Sequence, residues 1–282
     1  MSAVTQHLAG ERTATQLCDL GVRRGGVLLV HASMRSVGED AGRMAEALCR
    51  ALGPEGTLAV PTFTPENSDT SRFHLDHVRG LSDEAREAVL AAMPAFDPAV
   101  TPAPSMGALS ETVRLTPGAL RSAHPQTSFA ALGPGAPKLL TDHRQDCHLG
   151  EDSPLARLYD ADAQILLLGT GFDSCTAFHL AEYRLPSPPR RLYRCVVASE
   201  GGRQWWEYED IALDDSDFAA LGDDFVRTRT GMVGNGAVGT GTVGAATVGI
   251  GRVGAARSHL FSLRAAVDFA AGWLRKHRAG GC

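Results

Sequence analysis

Residues 163–184 read "AQILLLGTGFDSCTAFHLAEYR", and this stretch decides the fold because it joins a buried strand to a polar helix. The uninterrupted apolar run that ends at Leu168 predicts a strand buried on both faces, as in parallel sheets of α/β proteins. Two glycines then predict a tight turn. On the predicted helix, spacing of three places four polar residues along one face: Asp173, Thr176, His179 and Glu182. Open α/β sheets tend to carry their chemistry at this edge.

A strand followed by a turn and a helix recurs along the chain. The run "GGVLLVHASMRSVG" (25–38) predicts a strand and a turn, "GRMAEALCRALG" (42–53) predicts a helix with Gly53 at its end, and "GTLAVPTFT" (56–64) predicts a second strand. Ser153 and Pro154 predict the start of another helix. We therefore expect one compact α/β domain spanning residues 1–282, with a mostly parallel central sheet flanked by helices.

Three further segments have their own patterns. Residues 65–106 are proline-rich and predict a long loop excursion over the carboxyl edge of the sheet, with one helical patch. Residues 190–211 alternate around "EGG" and predict a β-hairpin. In residues 232–256 the pair Val-Gly recurs every five residues, which predicts a flexible low-complexity loop. Residues 262–277 predict a closing amphipathic helix.

Composition limits the class of protein. The chain has 282 residues, a net charge of −5, 44% hydrophobic residues and 21% charged residues, which is ordinary for a soluble globular protein and unlike a nucleic-acid binder. Six cysteines without a C-x-x-C pair favour reduced thiols in a cytoplasm. We expect no membrane span and a small-molecule partner, and the sequence leaves open whether the chain is a monomer or a homodimer.

His179 and Glu182 form the most informative pair. At i and i+3 the carboxylate can hold one imidazole nitrogen and leave the other free as a base. A salt-bridged helix surface has the same spacing, so spacing alone leaves both interpretations open. Asp173 or Ser174 is predicted to cap the helix, and Thr176 is either a second cap or a hydroxyl that faces the cleft.

Other candidate sites are weaker. The turn from His31 to Arg35 offers backbone N–H groups to an anion or a carbonyl, although ordinary tight turns look the same. Arg121, in "RSAHPQTSF", is a candidate phosphate partner. Residues 204–226 hold eight carboxylates and no Lys or Arg, typical of a solvated face and also attractive to a polycation. The histidines of "DHRQDCH" and "HLDH" lack zinc-site spacing, so we expect no metal.

The chain resembles the aminoglycoside 3-N-acetyltransferases. The pattern D-[ST]-x-T-x-x-H-x-A-E is met at residues 173–182, and R-S-x-H-P-x-x-S-F is met at residues 121–129. Further similar blocks, among them "VLLVHASMRSVG", "SPLARL" and "RVGAARSHLF", extend the resemblance from about residue 27 to residue 262. The resemblance implies acetyl transfer from acetyl-CoA to an amine, with a fold unlike that of the GNAT acetyltransferases.

The resemblance also implies roles for residues. His179 would be the general base, Glu182 would orient it, and Thr176 or backbone N–H groups of the turn would stabilise the oxyanion. Cys175 is expected to point away from the site. The expected coenzyme A contacts are His31, Ala32, Ser33, Met34, Arg35, Ser122, His124, Ser128 and Phe129. The expected substrate contacts are Asp173, Glu209 and Asp210.

Three alternatives to aminoglycoside acetylation stay open. One is an acyl-CoA-dependent N-acyltransferase that acts on another amine, such as a biosynthetic intermediate. The second is a metal-dependent hydrolase that uses the His/Asp/Cys cluster. The third is a non-catalytic binding protein that retains the fold.

Overall fold

The computed structural model describes residues 3–230 and 247–278, with side chains from residue 10 onwards and without that of residue 230. The strands are β1 (Val27–Ala32), β2 (Thr57–Pro61), β3 (Leu120–Arg121), β4 (Phe129–Leu132), β5 (Gln164–Leu168), β6 (Arg190–Ser199), β7 (Gly202–Ile211), β8 (Gly249–Val253) and β9 (Ala256–Ser262). The helices are α1 (Ala3–Leu20), α2 (Met34–Val37), α3 (Ala41–Leu52), α4 (Arg72–His77), α5 (Asp83–Ala92), α6 (Gly107–Leu115), α7 (Ala136–Leu140), α8 (Pro154–Asp160), α9 (Ala177–Tyr183), α10 (Phe218–Thr230) and α11 (Leu263–Arg278).

The central sheet has the order β3-β4-β2-β1-β5-β9-β8 over the described residues. The predicted parallel core is confirmed: β1 pairs in parallel with β2 on one side and with β5 on the other. Strands β4 and β9 run the opposite way and pair antiparallel with their neighbours. Five of these seven strands therefore point in one direction, and the two reversed strands give the outer parts of the sheet antiparallel ladders.

Helices cover both faces of the sheet. Leu29 and Ile165 lie on the face that packs against α8, α9 and α11, whereas Leu28 and Val30 lie on the face that packs against α1 and α3. Successive side chains of a strand point to opposite faces, so a strand buried on both faces must be apolar throughout. This explains the uninterrupted apolar runs in the sequence and confirms the α/β fold class.

The helix ends predicted at Gly53 and Ser153 are confirmed. The Asp40 side chain accepts hydrogen bonds from two N–H groups at the start of α3, and Gly53 ends that helix with φ of 71°. The Ser153 hydroxyl accepts from the N–H of Leu155 at the start of α8, where Pro154 takes the first position. The predicted hairpin is also confirmed as the antiparallel pair β6–β7.

Two predicted loops are more ordered than expected. Within residues 65–106, α5 is the predicted helical patch, whereas α4 and two short 3-10 turns add order that was not predicted. Ser71 and Ser82 cap α4 and α5 through their side chains. In the Val-Gly segment, Gly249–Val253 forms strand β8, so the loop prediction is wrong there. Pairing with β9 satisfies backbone groups that a free edge would leave open. Residues 232–246 of the predicted loop lie outside the described residues.

None of the described helices is both long enough and apolar enough to cross a membrane.

Core packing predicts that truncation of two leucines to alanine changes the free energy of unfolding by very different amounts. Leu48 in α3 is fully buried, whereas Leu192 on the hairpin is 57% exposed. Leu48→Ala should lower the free energy of unfolding by about 3 kcal/mol, because it removes buried methyl groups and leaves a cavity. Leu192→Ala should change it by less than about 0.5 kcal/mol. Urea unfolding of both variants checks this, and equal losses would contradict the assignment of Leu48 to the core.

Candidate active site

A histidine–glutamate pair lies on α9, just past the carboxyl end of β5. His179 Nδ1 lies 2.6 Å from Glu182 Oε2. The side chains are 13% and 3% exposed, so the pair is inside the protein and the interpretation as a helix-surface salt bridge is wrong. The His179 ring also packs on Phe218, with ring centroids 4.7 Å apart. The ring is therefore held from two sides while its edge stays accessible.

The second oxygen of Glu182 is fixed by other parts of the chain. Arg278 Nη1, at the end of α11, donates to Glu182 Oε1 at 2.5 Å. The backbone N–H of Asp214 donates to the same oxygen at 3.2 Å. A buried carboxylate needs such partners, because leaving a charge buried and unpaired is costly.

Asp210 belongs to a buried network rather than to an open surface. Its Oδ2 accepts from the N–H and Nδ1 of His148 and from the Tyr183 hydroxyl, at 2.8, 2.9 and 2.5 Å. Burial alone would raise the pKa of Asp210, but the hydrogen bonds from His148 and Tyr183 outweigh it and hold that pKa below its usual value. The structure does not support a direct substrate contact here. Glu209, by contrast, is exposed and pairs with Arg190 at 2.6 Å.

The start of α9 differs from the prediction. Residues Phe172–Ser174 form a 3-10 turn, and α9 begins only at Ala177, with Thr176 at the N-cap position and no side-chain cap. The prediction that Asp173 or Ser174 caps this helix is therefore wrong. The Ser174 hydroxyl instead pairs with that of Thr170 at 2.7 Å, and Asp173 is exposed. Thr176 is buried beside the pair.

Cys175 is fully buried. Burial raises the pKa of this thiol to about 12, so it stays protonated at neutral pH. This agrees with the expectation that Cys175 is not a nucleophile.

The turn after β1 lies against the turn after β5. The Ser33 N–H donates to the Leu168 carbonyl at 2.9 Å, and Gly169, with φ of 68°, passes so close to Ser36 that a Cβ there would lie 2.9 Å away. Ala32 to Met34 are partly exposed and Arg35 is exposed. His31 is buried, with Nε2 unpaired among the described residues, and burial lowers its pKa to about 4.

The predicted coenzyme contacts from the "RSAHPQTSF" block are interior residues. Each of the four is at most 2% exposed, so the structure does not show them lining an open channel. They are Ser122, His124, Ser128 and Phe129. Arg121 is not a free phosphate partner either. Its guanidinium donates to the Thr62 carbonyl, to the Ser128 hydroxyl and to the Thr101 carbonyl, which ties the excursion to the sheet.

The acidic run at 204–226 is largely neutralised, although it contains no basic residue. Arginines from elsewhere in the chain reach five of its carboxylates, in the pairs Glu207–Arg194, Glu209–Arg190, Asp215–Arg72, Asp217–Arg278 and Asp224–Arg227. Across the described residues, no three His, Cys, Asp or Glu side chains are grouped as a metal site would require.

A family model described as aminoglycoside 3-N-acetyltransferase matches residues 29–275. The chain belongs to this family. A relative from Bacillus subtilis, a prophage-derived aminoglycoside N(3')-acetyltransferase-like protein, is 35% identical over 90% of this chain and 88% of its own length. Aminoglycoside N(3)-acetyltransferase IX of Micromonospora chalcea is 35% identical over 93% and 92%.

Solved structures of the family share the fold. The YokD protein from Bacillus subtilis superposes with a TM-score of 0.83 at 32% identity, covering 97% of this chain and 95% of that one. AAC-IIIb in a binary complex with CoASH gives 0.76 at 29% identity, covering 95% and 96%. AAC-VIa bound to sisomicin gives 0.75 at 29% identity, covering 95% and 97%.

Sequence reasoning missed the residues that reach the histidine–glutamate pair from far along the chain. Arg278 lies 96 residues from Glu182, and no motif spacing links them. Phe218 and Asp214 follow the hairpin without a local pattern that points to α9. The basic last turn of α11 was visible in the sequence, but it reads as an ordinary helix terminus.

Because two histidines are buried, we expect the free energy of unfolding to fall in mild acid. Burial lowers the pKa of His31 and of His143 to about 4, against an ordinary value of 6.5. Between these values the unfolded chain binds protons that the folded chain does not, so stability is lost as pH falls from 6.5 to 4. Each histidine should contribute a slope of about 1.4 kcal/mol per pH unit. Urea unfolding at pH 7, 6 and 5 measures it.

His31→Leu should reduce this slope by about the contribution of one histidine, because the unfolded variant no longer has this imidazole to protonate. His77→Leu, at an exposed position on α4, serves as the control and should leave the slope unchanged. An unaltered slope in His31→Leu would show that His31 does not remain neutral in the folded state.

Proposed function

We propose that this chain transfers the acetyl group of acetyl-CoA to the 3-amino group of an aminoglycoside, with His179 as the general base. The observation that carries the proposal is the buried His179–Glu182 pair at the carboxyl edge of the sheet. Family membership, a relative solved with CoASH and another solved with sisomicin support the choice of substrates. Acetylation would remove one ammonium charge from a drug whose affinity for RNA rests on phosphate contacts, which gives resistance.

The hydrogen bond to Glu182 sets the tautomer of His179. An ionised carboxylate only accepts, so Nδ1 carries the proton that lies between the two groups. Nε2 is then unprotonated, and no described residue forms a hydrogen bond with it. An attacking amine must lose a proton to become acylated, and Nε2 is placed to take it directly or through a water molecule.

Glu182 has two tasks in this scheme. It fixes the orientation of the imidazole, and it stabilises the imidazolium that forms once the proton has moved. Thr176, buried beside the pair, and the backbone N–H groups of the turn at residues 32–35 are the proposed donors for the negative charge that develops on the acyl oxygen.

The turn after β1 has the features that a coenzyme A site needs. Ala32 to Met34 are accessible, and Arg35 is exposed and forms no ion pair with a described residue, so its charge is available to phosphate groups. Bound acetyl-CoA would supply the acetyl group as a thioester. The residues proposed to hold it are Ala32, Ser33, Met34 and Arg35, with His31 behind them.

For the acceptor, we propose Asp173 as a partner of an ammonium group. It is exposed, it lies six residues before His179 and it forms no ion pair with a described residue. Glu209 would have to exchange Arg190 for the substrate, and Asp210 would have to give up His148 and Tyr183.

The test is thiol release from acetyl-CoA by the purified protein with a panel of aminoglycosides. Release should depend on the aminoglycoside, and mass spectrometry should show one added acetyl group at the 3-amino position. His179→Ala should lower kcat by about 10²- to 10⁴-fold, because no other described group is positioned to take the proton. His77→Ala, an exposed histidine on α4, is the matched control and should keep wild-type kcat.

Two results would contradict the proposal. Unchanged turnover in His179→Ala would remove His179 from the role of base. Acetyl transfer to another class of amine, with no transfer to any aminoglycoside, would reject the substrate assignment while keeping the chemistry.

A further inference from the structure

The C-terminal helix places one cation against the histidine–glutamate pair. Arg278 uses every part of its guanidinium: Nη1 donates to Glu182 Oε1 at 2.5 Å, and Nε and Nη2 donate to the two oxygens of Asp217 at 2.8 and 2.5 Å. Nη2 also donates to the Asp214 carbonyl at 2.7 Å. The side chain is 23% exposed, and burial is opposed by bonds to Asp217 and Glu182, which raise the pKa of Arg278.

This arrangement leaves Glu182 one orientation. Its Oε1 is taken by Arg278 and by the Asp214 N–H, so Oε2 is the oxygen that remains for His179. A forked guanidinium held by a second carboxylate cannot rotate freely, and a carboxylate held by it cannot either.

We propose that Arg278 is a positioning residue of the acetyltransferase site, which aims Glu182 at His179 and limits how strongly that carboxylate retains a proton on the imidazole. The inference rests on the proposed function for its catalytic meaning. A fully negative carboxylate 2.6 Å from the ring favours imidazolium, which is not a base. The positive charge of Arg278 offsets part of the effect of the Glu182 carboxylate, and the negative charge of Asp217 in turn offsets part of the charge of Arg278.

The charged and titratable groups around His179 come from several elements. They are Glu182 on α9, Asp214 and Asp217 before α10, Arg278 on α11, and His148 with its partner Asp210. Arg278 and Asp217 both act through Glu182 but carry opposite charges. Removing one or the other must therefore move the protonation of His179 in opposite directions.

The experiment is a pH titration of the His179 imidazole by nuclear magnetic resonance on ¹⁵N-histidine-labelled full-length protein, with His179→Gln to assign the signal. Arg278→Met should move the midpoint to higher pH by about half a unit or more. Asp217→Asn, which leaves the cation uncompensated, should move it to lower pH. Arg278→Lys, which keeps the charge, should return it toward the wild-type midpoint.

Arg275→Met is the matched control, because Arg275 lies in the same last turn and only donates to the Arg184 carbonyl. It should leave the midpoint unchanged. In thiol-release assays Arg278→Met should lower kcat on the order of tenfold with little change in KM, and the acid limb of the rate profile should move with the imidazole midpoint.

A shift of the same sign in Arg278→Met and Asp217→Asn, or no shift in either, would overturn the proposal and leave Arg278 a purely structural residue. If Arg278→Met does not fold, Asp217→Asn should still lower the midpoint while Arg278→Lys keeps it near the wild-type value, and an unchanged midpoint in Asp217→Asn would overturn the proposal. A wild-type protein that transfers no acetyl group would reject the proposed function, and the titration would still decide the role of Arg278.

Discussion

A buried carboxylate constrains the architecture around the site. Glu182 is 3% exposed and lies under the sheet edge, where an unpaired negative charge would cost several kcal/mol, on the order of 3–5. Its compensation comes from three places: His179 on the same helix, Arg278 on the last helix and a backbone N–H before α10. Segments far apart in the chain must therefore pack correctly before the pair on α9 acquires its geometry.

The parallel core of the sheet decides where that pair lies. Because β1 and β5 are parallel neighbours, their carboxyl ends meet, and the turns that follow them are joined by the bond from Ser33 to the Leu168 carbonyl. One turn leads into the partly exposed segment 32–35, and the other leads into α9. Under the proposed function, an acyl donor held by the first turn and a base on α9 would therefore be neighbours as a consequence of topology, as in other open α/β sheets.

Whether a feature could be predicted from the sequence depends on how far apart in the chain the interacting residues lie. Strands, helix caps such as Ser153 and the hairpin depend on neighbours a few residues away, and they were predicted correctly. The His179–Glu182 contact was predictable for the same reason. The interior position of His124 and the link from Arg278 to Glu182 depend on packing between distant elements, for which spacing holds no signal. The pattern R-S-x-H-P-x-x-S-F identified residues 121–129 as a segment important to the fold, but it did not show which way the side chains of that segment face.

The ion pairs of the acidic run at residues 204–226 weaken its attraction for a positively charged molecule. Arginines pair with five of its eight carboxylates, which reduces the net negative charge of the run, and salt screens exposed charges at distances beyond about 8 Å. Under the proposed function, recognition of a polycation would depend on individual carboxylates without an arginine partner, such as Asp173. Under the same proposal, pairing with one carboxylate would orient an ammonium group, whereas a diffuse acidic surface would attract a polycation without orienting it.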